Sequence, residues 1–397
     1  MTVPPFALDA FAAGTVLSPR IDAVVQEALE QRRLVGARVL VAHNGTLIHQ
    51  QATGWADRER QRPMTMKTLC RLGSVSKLIV STAALVLAAQ GKLDLDTDIV
   101  RWLPEFQPHL ADGRLARISV RQLLGHTAGL GYRFLETDAD GPYTRAGVSD
   151  GMDMQIISLA ENLRRIASVP LLYEPGTAWG YSLATDVLGA LIERVHDAPL
   201  DASVRQLVTD PLAMHDTGFV VDDPQRMDTV YVNDTPQPHL LAEGEVVPAF
   251  EGKLRLTFSP GRIFDARMFF SGGAGMAGSA TNFLQLLETL RQDGGTLLPS
   301  ALIADMQRDH SGGWKMSSAP GFGYGLGYMV LRDRQLAATP ESVGTWRWCS
   351  AYGHSWFVDP ARQLSVVAFS NTIHEGMCGH FVTALRDAVY ATLDQPR

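Results

Sequence analysis

A serine and a lysine three positions apart are the clearest candidates for catalysis. They are Ser74 and Lys77, within Gly73-Ser74-Val75-Ser76-Lys77, and the apolar run 78–89 follows them. At a helix start this spacing puts the two side chains one turn apart on one face, close enough to share a hydrogen bond. A buried lysine can remove the hydroxyl proton of a serine, because burial favours the neutral amine. The segment therefore predicts Ser74 as nucleophile and Lys77 as general base.

The same two residues have a structural interpretation. Serine is a common N-cap, and a lysine in the first turn of a helix is usually solvated. Two observations favour catalysis. The chain has five lysines, and only Lys77 has a serine three residues before it. The apolar run 78–89 predicts a central helix, which would take the lysine out of water.

Further segments accompany the Ser-x-x-Lys motif in a consistent order. With it, they resemble the serine β-lactamase and penicillin-binding-protein superfamily, whose nucleophile opens a central helix. The chain is most similar to the class C β-lactamases and, more closely, to the family VIII carboxylesterases that share their fold, over nearly its whole length. These segments are Leu95-Asp96, 102–105 (WLPE), 126–130 (HTAGL), 271–276 (SGGAGM) and Ser279-Ala280.

The resemblance assigns the second family motif, Tyr-x-Asn, to Tyr181-Ser182-Leu183. Tyr181 matches, which implies a proton relay that hydrogen-bonds Ser74 and Lys77 and protonates the leaving alcohol. Leu183 departs from the motif. In β-lactamases the asparagine amide helps to hold the acylamide side chain of the substrate, so leucine weakens the expectation of lactam recognition.

The third family motif, Lys-Thr-Gly, is replaced by Trp348-Cys349-Ser350. The lysine of this motif attracts the carboxylate of a penicillin or peptide, which Trp348 cannot do. Arg347 is adjacent, but side chains alternate across a strand, so it should point away if Trp348 points in. The replacement favours a neutral ester with an apolar part, and family VIII esterases commonly carry tryptophan here.

The resemblance implies the remaining parts of the site. The backbone N–H groups of Ser74 and Ala351 would form the oxyanion hole, and Tyr132 would line the pocket. His354 invites a Ser-His-Asp interpretation, but a lysine base needs no histidine. The chain contains no Gly-x-Ser-x-Gly segment, which argues against an α/β-hydrolase. Nothing resembles a metal or nucleotide site, so we expect no cofactor.

The elements that must position these residues begin at the two ends of the chain. Asn44-Gly45 is the dipeptide of a tight two-residue turn, which predicts a hairpin of 36–43 and 46–51. The patterns predict an α/β (α+β) fold, in which both termini build one antiparallel sheet flanked by helices. The other terminal elements are helices at 20–33 and 381–393 and strands at 354–358 and 364–370.

The middle of the chain is predicted to be an inserted, mainly helical domain. The expected division is an α/β sheet domain, 1–83 and 177–397, and a helical domain, 84–176, with the active site between them. The segment 222–262 is polar with weak periodicity, which predicts a long loop. Helical periodicity is found at 120–124, 153–167, 184–195 and 280–290.

Composition narrows the functional classes. The 397 residues carry a formal net charge of −7, which argues against nucleic acid and anionic membranes as partners. The N-terminal 20 residues lack the basic and apolar regions of a secretory signal, so a cytoplasmic location is expected. Cys70, Cys349 and Cys378 match neither zinc nor redox spacing, and we expect core thiols. The oligomeric state stays open.

The sequence thus predicts a serine carboxylesterase for small, short-chain esters, acting through an acyl-enzyme on Ser74. One alternative is a β-lactamase or D-amino-acid peptidase on the same fold. Absence of the third-motif lysine and of a signal sequence counts against it. Another alternative is a non-catalytic, penicillin-binding-like sensing module, against which the intact Ser74, Lys77 and Tyr181 argue.

Overall fold

The structure is a computed structural model that describes residues 18–394, apart from 139, 250, 251, 253, 315, 317 and 318. Residues 1–17 carry most of the segment used for the signal-sequence prediction and the start of the predicted first domain, so those parts lie outside the described residues.

The helices follow the predicted periodicities closely. The described residues form α1 (Pro19–Glu30), α2 (Ser76–Ala89), α3 (Val120–Leu124), α4 (Pro142–Arg145), α5 (Leu159–Ala167), α6 (Ala184–His196), α7 (Leu200–Val204), α8 (Ala280–Arg291), α9 (Ser300–Met306), α10 (Glu375–Cys378) and α11 (His380–Leu393).

The strands are β1 (Gly36–His43), β2 (Thr46–Asp57), β3 (Arg62–Pro63), β4 (Cys70–Arg71), β5 (Tyr231–Val232), β6 (His239–Leu240), β7 (Glu245–Ala249), β8 (Leu254–Phe258), β9 (Ala277–Gly278), β10 (Phe322–Tyr324), β11 (Met329–Leu331), β12 (Trp346–Ser350), β13 (His354–Asp359), β14 (Leu364–Ser370) and β15 (Thr372–Ile373).

One antiparallel sheet joins the two ends of the chain. Its eight strands run in the order β10-β11-β12-β13-β14-β1-β2-β3, with β1 paired to β14. Asn44 and Gly45 have φ values of 53° and 74°, which is the conformation that their turn requires. The predicted fold, with an antiparallel sheet built from both termini and flanked by helices, is confirmed.

Successive residues of β1 face opposite layers. Val39 and Val41 pack with the apolar sides of α1 and α11, while Leu40 joins the larger core around α2. In α2, every residue from Ser76 to Leu87 is buried. Such a helix needs cover on all sides, which places it at the centre of the protein.

Two predicted elements differ from the structure. The helix predicted at 153–167 begins only at Leu159, because Asp153 uses its side chain to bind Arg133 and Ser149. The predicted loop 222–262 contains β5 to β8. In the β7–β8 hairpin alternate apolar residues face inward, a short pattern of period two that the polar flanks obscure.

The predictions for the cysteines and for the domain division have different outcomes. Cys70 is buried as predicted, but Cys349 is half-buried and Cys378 is exposed, so the core-thiol prediction is wrong for Cys378. The division into two domains stays a prediction, and α2 crosses its proposed boundary between residues 83 and 84. Within the described ranges, no helix has the length and apolar character needed to cross a bilayer.

Candidate active site

The turn that carries Ser74 lies tightly against the end of β12. Gly73–Val75 is a single 3-10 turn that leads into α2. Gly73 has a φ of 51°, and a Cβ atom there would lie 2.4 Å from the Ser350 Oγ. Only glycine allows this approach, so the turn brings the partly exposed Ser74 beside the strand that carries the third-motif segment.

The Ser74 hydroxyl lies between the two predicted partners. Its Oγ is 2.7 Å from the Tyr181 hydroxyl, and the Lys77 Nζ donates to it at 3.3 Å. Lys77 is 1% exposed and also donates to the Gly273 carbonyl at 2.7 Å. The structure therefore brings Ser74, Lys77 and Tyr181 into one hydrogen-bonded group, with the amine held by Gly273.

Aromatic rings surround Tyr181. The rings of His126, Tyr132 and Trp348 lie 5.0–5.1 Å from its ring centroid, and the Lys77 Nζ lies 4.8 Å from it. Burial, and then the charge of Lys77, holds the pKa of His126 well below its usual range. His126 is thus a neutral packing residue that hydrogen-bonds Ser182 through Nδ1 at 3.1 Å.

Trp348 forms one wall of this group. It is partly exposed and makes an edge contact with the Tyr324 ring at 5.3 Å. Arg347 points to the other side of β12 and pairs with Glu341 at 3.1 Å. The side chain beside Tyr181 at the third-motif position is therefore aromatic and uncharged.

Ala351 follows β12 in a turn. The N–H groups of Gly353 and Tyr352 donate to the carbonyl and Oγ of Ser350, at 3.0 and 3.3 Å, and these bonds leave out the Ala351 N–H. The packing of Gly73 on Ser350 brings the Ser74 turn to this position. The arrangement suits the predicted pair of oxyanion donors.

Tyr132 lies beside Lys77. Its ring centroid is 5.5 Å from the Lys77 Nζ and stacks on Phe134 at 4.4 Å. The Asp150 carboxylate accepts the N–H groups of Arg133 and Phe134, at 2.9 and 3.2 Å, which fixes this loop. Burial raises the pKa of Asp150 to about 7, although Arg133 acts in the opposite direction.

Two residues weighed from the sequence lie away from the nucleophile's hydrogen bonds. The His354 Nε2 donates to the Arg71 carbonyl at 2.9 Å, and burial lowers its pKa to about 3. Leu183 is fully buried, and its N–H donates to the Gly131 carbonyl at 3.1 Å. His354 therefore has a structural partner, and Leu183 belongs to the core.

The sequence reasoning missed Asp186. This residue lies in the first turn of α6, is fully buried and faces Lys77 across Gly273. A signal was present, because an acidic residue interrupts the apolar segment 183–192 five positions after Tyr181. Buried carboxylates are rare unless they are paired.

A cavity of about 250 Å³ lies near the turn that carries Ser74, because Tyr352, which lines it, packs on Gly73. Its walls are mainly apolar, with Phe219, Met268 and Phe269 among them. Ala274 and Tyr352 also line it, whereas Ser74 does not. Two residues of its lining therefore adjoin the site in the chain, since Ala274 follows Gly273 and Tyr352 follows Ala351.

Comparisons with known proteins bear on the family of the chain. The family model described as "Beta-lactamase" matches residues 21–390. The chain is 48% identical over 387 residues to "Esterase EstB" of Burkholderia gladioli, covering 97% of each chain. It is 25% identical to "Lovastatin esterase" of Penicillium rubens, covering 87% of this chain and 90% of that protein.

Solved structures show the same fold. "EstCE1, a hydrolase with promiscuous acyltransferase activity" superposes with a TM-score of 0.91 at 44% identity, over 94% of this chain and 97% of that one. "Simvastatin Synthase (LovD) from Aspergillus terreus" superposes with a TM-score of 0.74 at 21% identity, over 95% and 98% of the two chains, which is a likeness of fold.

Proposed function

The chain belongs to the beta-lactamase family, and from this membership and the geometry around Ser74 we propose that it is a serine carboxylesterase for small, short-chain esters. One observation carries the proposal. The Ser74 hydroxyl is hydrogen-bonded to both Tyr181 and Lys77, while Trp348 occupies the position at which lactam-binding relatives carry a lysine.

The first half of the reaction forms an acyl-enzyme. Lys77 takes the proton of Ser74, whose Oγ attacks the ester carbonyl. The N–H groups of Ser74 and Ala351 donate to the oxyanion that develops. Tyr181, 2.7 Å from the nucleophile, delivers a proton to the alcohol as the C–O bond breaks.

The second half releases the acid. Tyr181 and Lys77 take a proton from water, whose oxygen attacks the acyl-serine carbonyl. The proton returns to Ser74 when the bond from its Oγ to the acyl carbon breaks. The free enzyme is then restored, and the reaction has consumed one water molecule.

The walls of the site favour a neutral substrate. Trp348 and Tyr181, both partly exposed, offer an aromatic surface, and Arg347 is paired with Glu341 on the other face of the strand. We assign the acyl chain to the apolar cavity that Ala274 and Tyr352 line. A carboxylate-bearing lactam would find no lysine at position 348, so the lactamase and peptidase alternatives are disfavoured.

Transfer of the acyl group to an alcohol is a second candidate activity. The partly exposed rings of Trp348 and Tyr181 form a surface on which an alcohol can compete with water for the acyl-enzyme. The resemblance to a hydrolase with promiscuous acyltransferase activity supports this candidate.

The protein would act on small molecules, and a cytoplasmic location is part of the proposal.

A direct test combines hydrolysis with covalent labelling. Wild type, Ser74→Ala and the matched control Ser81→Ala, a buried serine of α2, are assayed with p-nitrophenyl acetate, butyrate and octanoate and with a chromogenic cephalosporin. We expect ester turnover and fluorophosphonate labelling in wild type and Ser81→Ala, and loss of both in Ser74→Ala. Lactam turnover exceeding ester turnover, or a folded wild-type chain that stays unlabelled, would overturn the proposal.

A further inference from the structure

Asp186 is a buried acid for which the proposed reaction has not yet required a role. It is 0% exposed, and among the described residues neither carboxylate oxygen has a hydrogen bond of full geometry. The Ser271 hydroxyl and the Gly273 N–H face the carboxylate and favour its charged form. A buried carboxylate with incomplete partners costs free energy, which a neutral side chain of the same shape would avoid.

Gly273 shows how close Asp186 is to the catalytic amine. A Cβ atom on Gly273 would lie 2.8 Å from the Asp186 Oδ2, 3.3 Å from the Lys77 Nζ and 3.3 Å from the Tyr132 hydroxyl. The carboxylate oxygen and the amine nitrogen therefore lie no more than about 6 Å apart. This is within the roughly 6 Å over which opposite charges alter each other's protonation.

The other titratable groups near this pair are either neutral or hydrogen-bonded elsewhere. Burial holds the pKa of His126 well below its usual range and the pKa of Tyr132 well above it. Burial also raises the pKa of Asp186, while Ser271 and the charges of Lys77 and Arg262 act in the opposite direction. Arg262 donates to the carbonyls of Asp153 and Phe269.

We propose that Asp186 is a positioning residue of the ester hydrolysis, whose carboxylate acts through Lys77 by balancing the ammonium charge that forms when Lys77 takes the Ser74 proton. The proposal rests on the proposed esterase function. Proton transfer from Ser74 to Lys77 creates a positive charge at a site that is 1% exposed. A negative charge nearby stabilises that state because the low dielectric of the interior strengthens the attraction.

The test replaces Asp186 with its neutral isostere. In Asp186→Asn we expect the plateau of kcat/KM for p-nitrophenyl butyrate to fall about tenfold, a modest part of an acid–base effect. The acidic limb of the pH profile should move to lower pH by about one unit. Without the carboxylate the charged form of Lys77 is less stable, so Lys77 stays neutral to a lower pH. The matched control is Glu193→Gln, which replaces the other acid of α6, a half-buried side chain that accepts the Leu200 N–H at 2.8 Å.

A merely structural role for Asp186 gives a different result. It would change the melting temperature and leave the acidic limb where it is, and that outcome overturns the proposal. Gly273→Ala is a second variant that keeps the carboxylate but displaces it from Lys77. The acidic limb of its pH profile should therefore also move to lower pH. An unmoved limb in Gly273→Ala counts equally against the proposal. Failure of the esterase function would instead appear as turnover retained in Ser74→Ala.

Discussion

Two groups of buried charges lie close to the Ser74 turn, and their hydrogen bonding differs. In the first group, Arg38 donates to Asp228 at 2.9 Å and to the Thr68 carbonyl at 2.6 Å, while Arg71 donates to the Asp228 carbonyl at 3.1 Å. In the second group, which contains Lys77 and Asp186, the carboxylate has no complete hydrogen bond among the described residues.

The difference separates a structural group from a reactive one. A buried ion pair with several hydrogen bonds holds its charges in one state, so removing a partner destabilises the fold. A buried group whose hydrogen bonds are incomplete can change protonation with little rearrangement, which suits proton transfer. We therefore expect stability to respond mainly to the first group, called here the Asp228 group, and activity to the second, called here the Lys77 group.

The largest effect is expected from Lys77→Met in the Lys77 group. Methionine fills a similar volume without a base, so ester hydrolysis should fall by about 10⁴-fold, the upper range for a lost general base. The free energy of unfolding should stay equal or increase, because a buried amine is removed. Steady-state kinetics and urea unfolding measure the two. A clear loss of stability would contradict the separation of the groups.

The next effect concerns His354, which hydrogen-bonds to Arg71 of the Asp228 group. Burial lowers its pKa to about 3, whereas the unfolded chain titrates near the ordinary 6.5. The unfolded state thus binds the proton first as the pH falls. His354 should cost up to about 5 kcal/mol of stability between pH 6.5 and 3.

The measurement is urea unfolding as a function of pH for wild type and His354→Gln. The difference between the two curves isolates His354 from the other buried histidines. We expect the variant to show the shallower loss between pH 6.5 and 3, and parallel curves would show that His354 does not contribute.

Asp228→Asn should give a somewhat smaller effect, confined to stability. The variant leaves Arg38 and Arg71 without their counter-charge, which we expect to cost about 3–5 kcal/mol of unfolding free energy. Turnover per labelled active site should stay within twofold of wild type. Fluorophosphonate titration gives the number of active sites. A selective loss of turnover at normal stability would show that the two groups are coupled.

The smallest expected effect comes from Trp348→Lys, which adds a cation to the Lys77 group. We expect the ratio of cephalosporin to ester turnover to rise about tenfold, since a partly exposed charge attracts the lactam carboxylate modestly. Trp348→Met is the matched control that removes the ring without adding charge. An equal rise in both variants would mean that the size of the ring, rather than charge, excludes lactams.

Much of the architecture was predictable because its signals are local. The Asn44-Gly45 turn and the strands at 354–359 and 364–370 follow from turn chemistry and apolar patterning. The β7–β8 hairpin was missed because its alternation covers only five residues in each strand within a polar segment. The start of α5 was missed because Asp153 forms long-range contacts instead of continuing a helix.

The sequence by itself determined the Ser74–Lys77 pair and the helix that carries them, because a spacing of three on an apolar helix places both side chains on one face. The resemblance to a known family pointed to Tyr181 and Trp348. Only the tertiary structure brought Asp186 to Lys77, 109 positions away, across a glycine at position 273. Contacts of that kind depend on how distant helices and loops pack together, which local pattern and spacing do not encode.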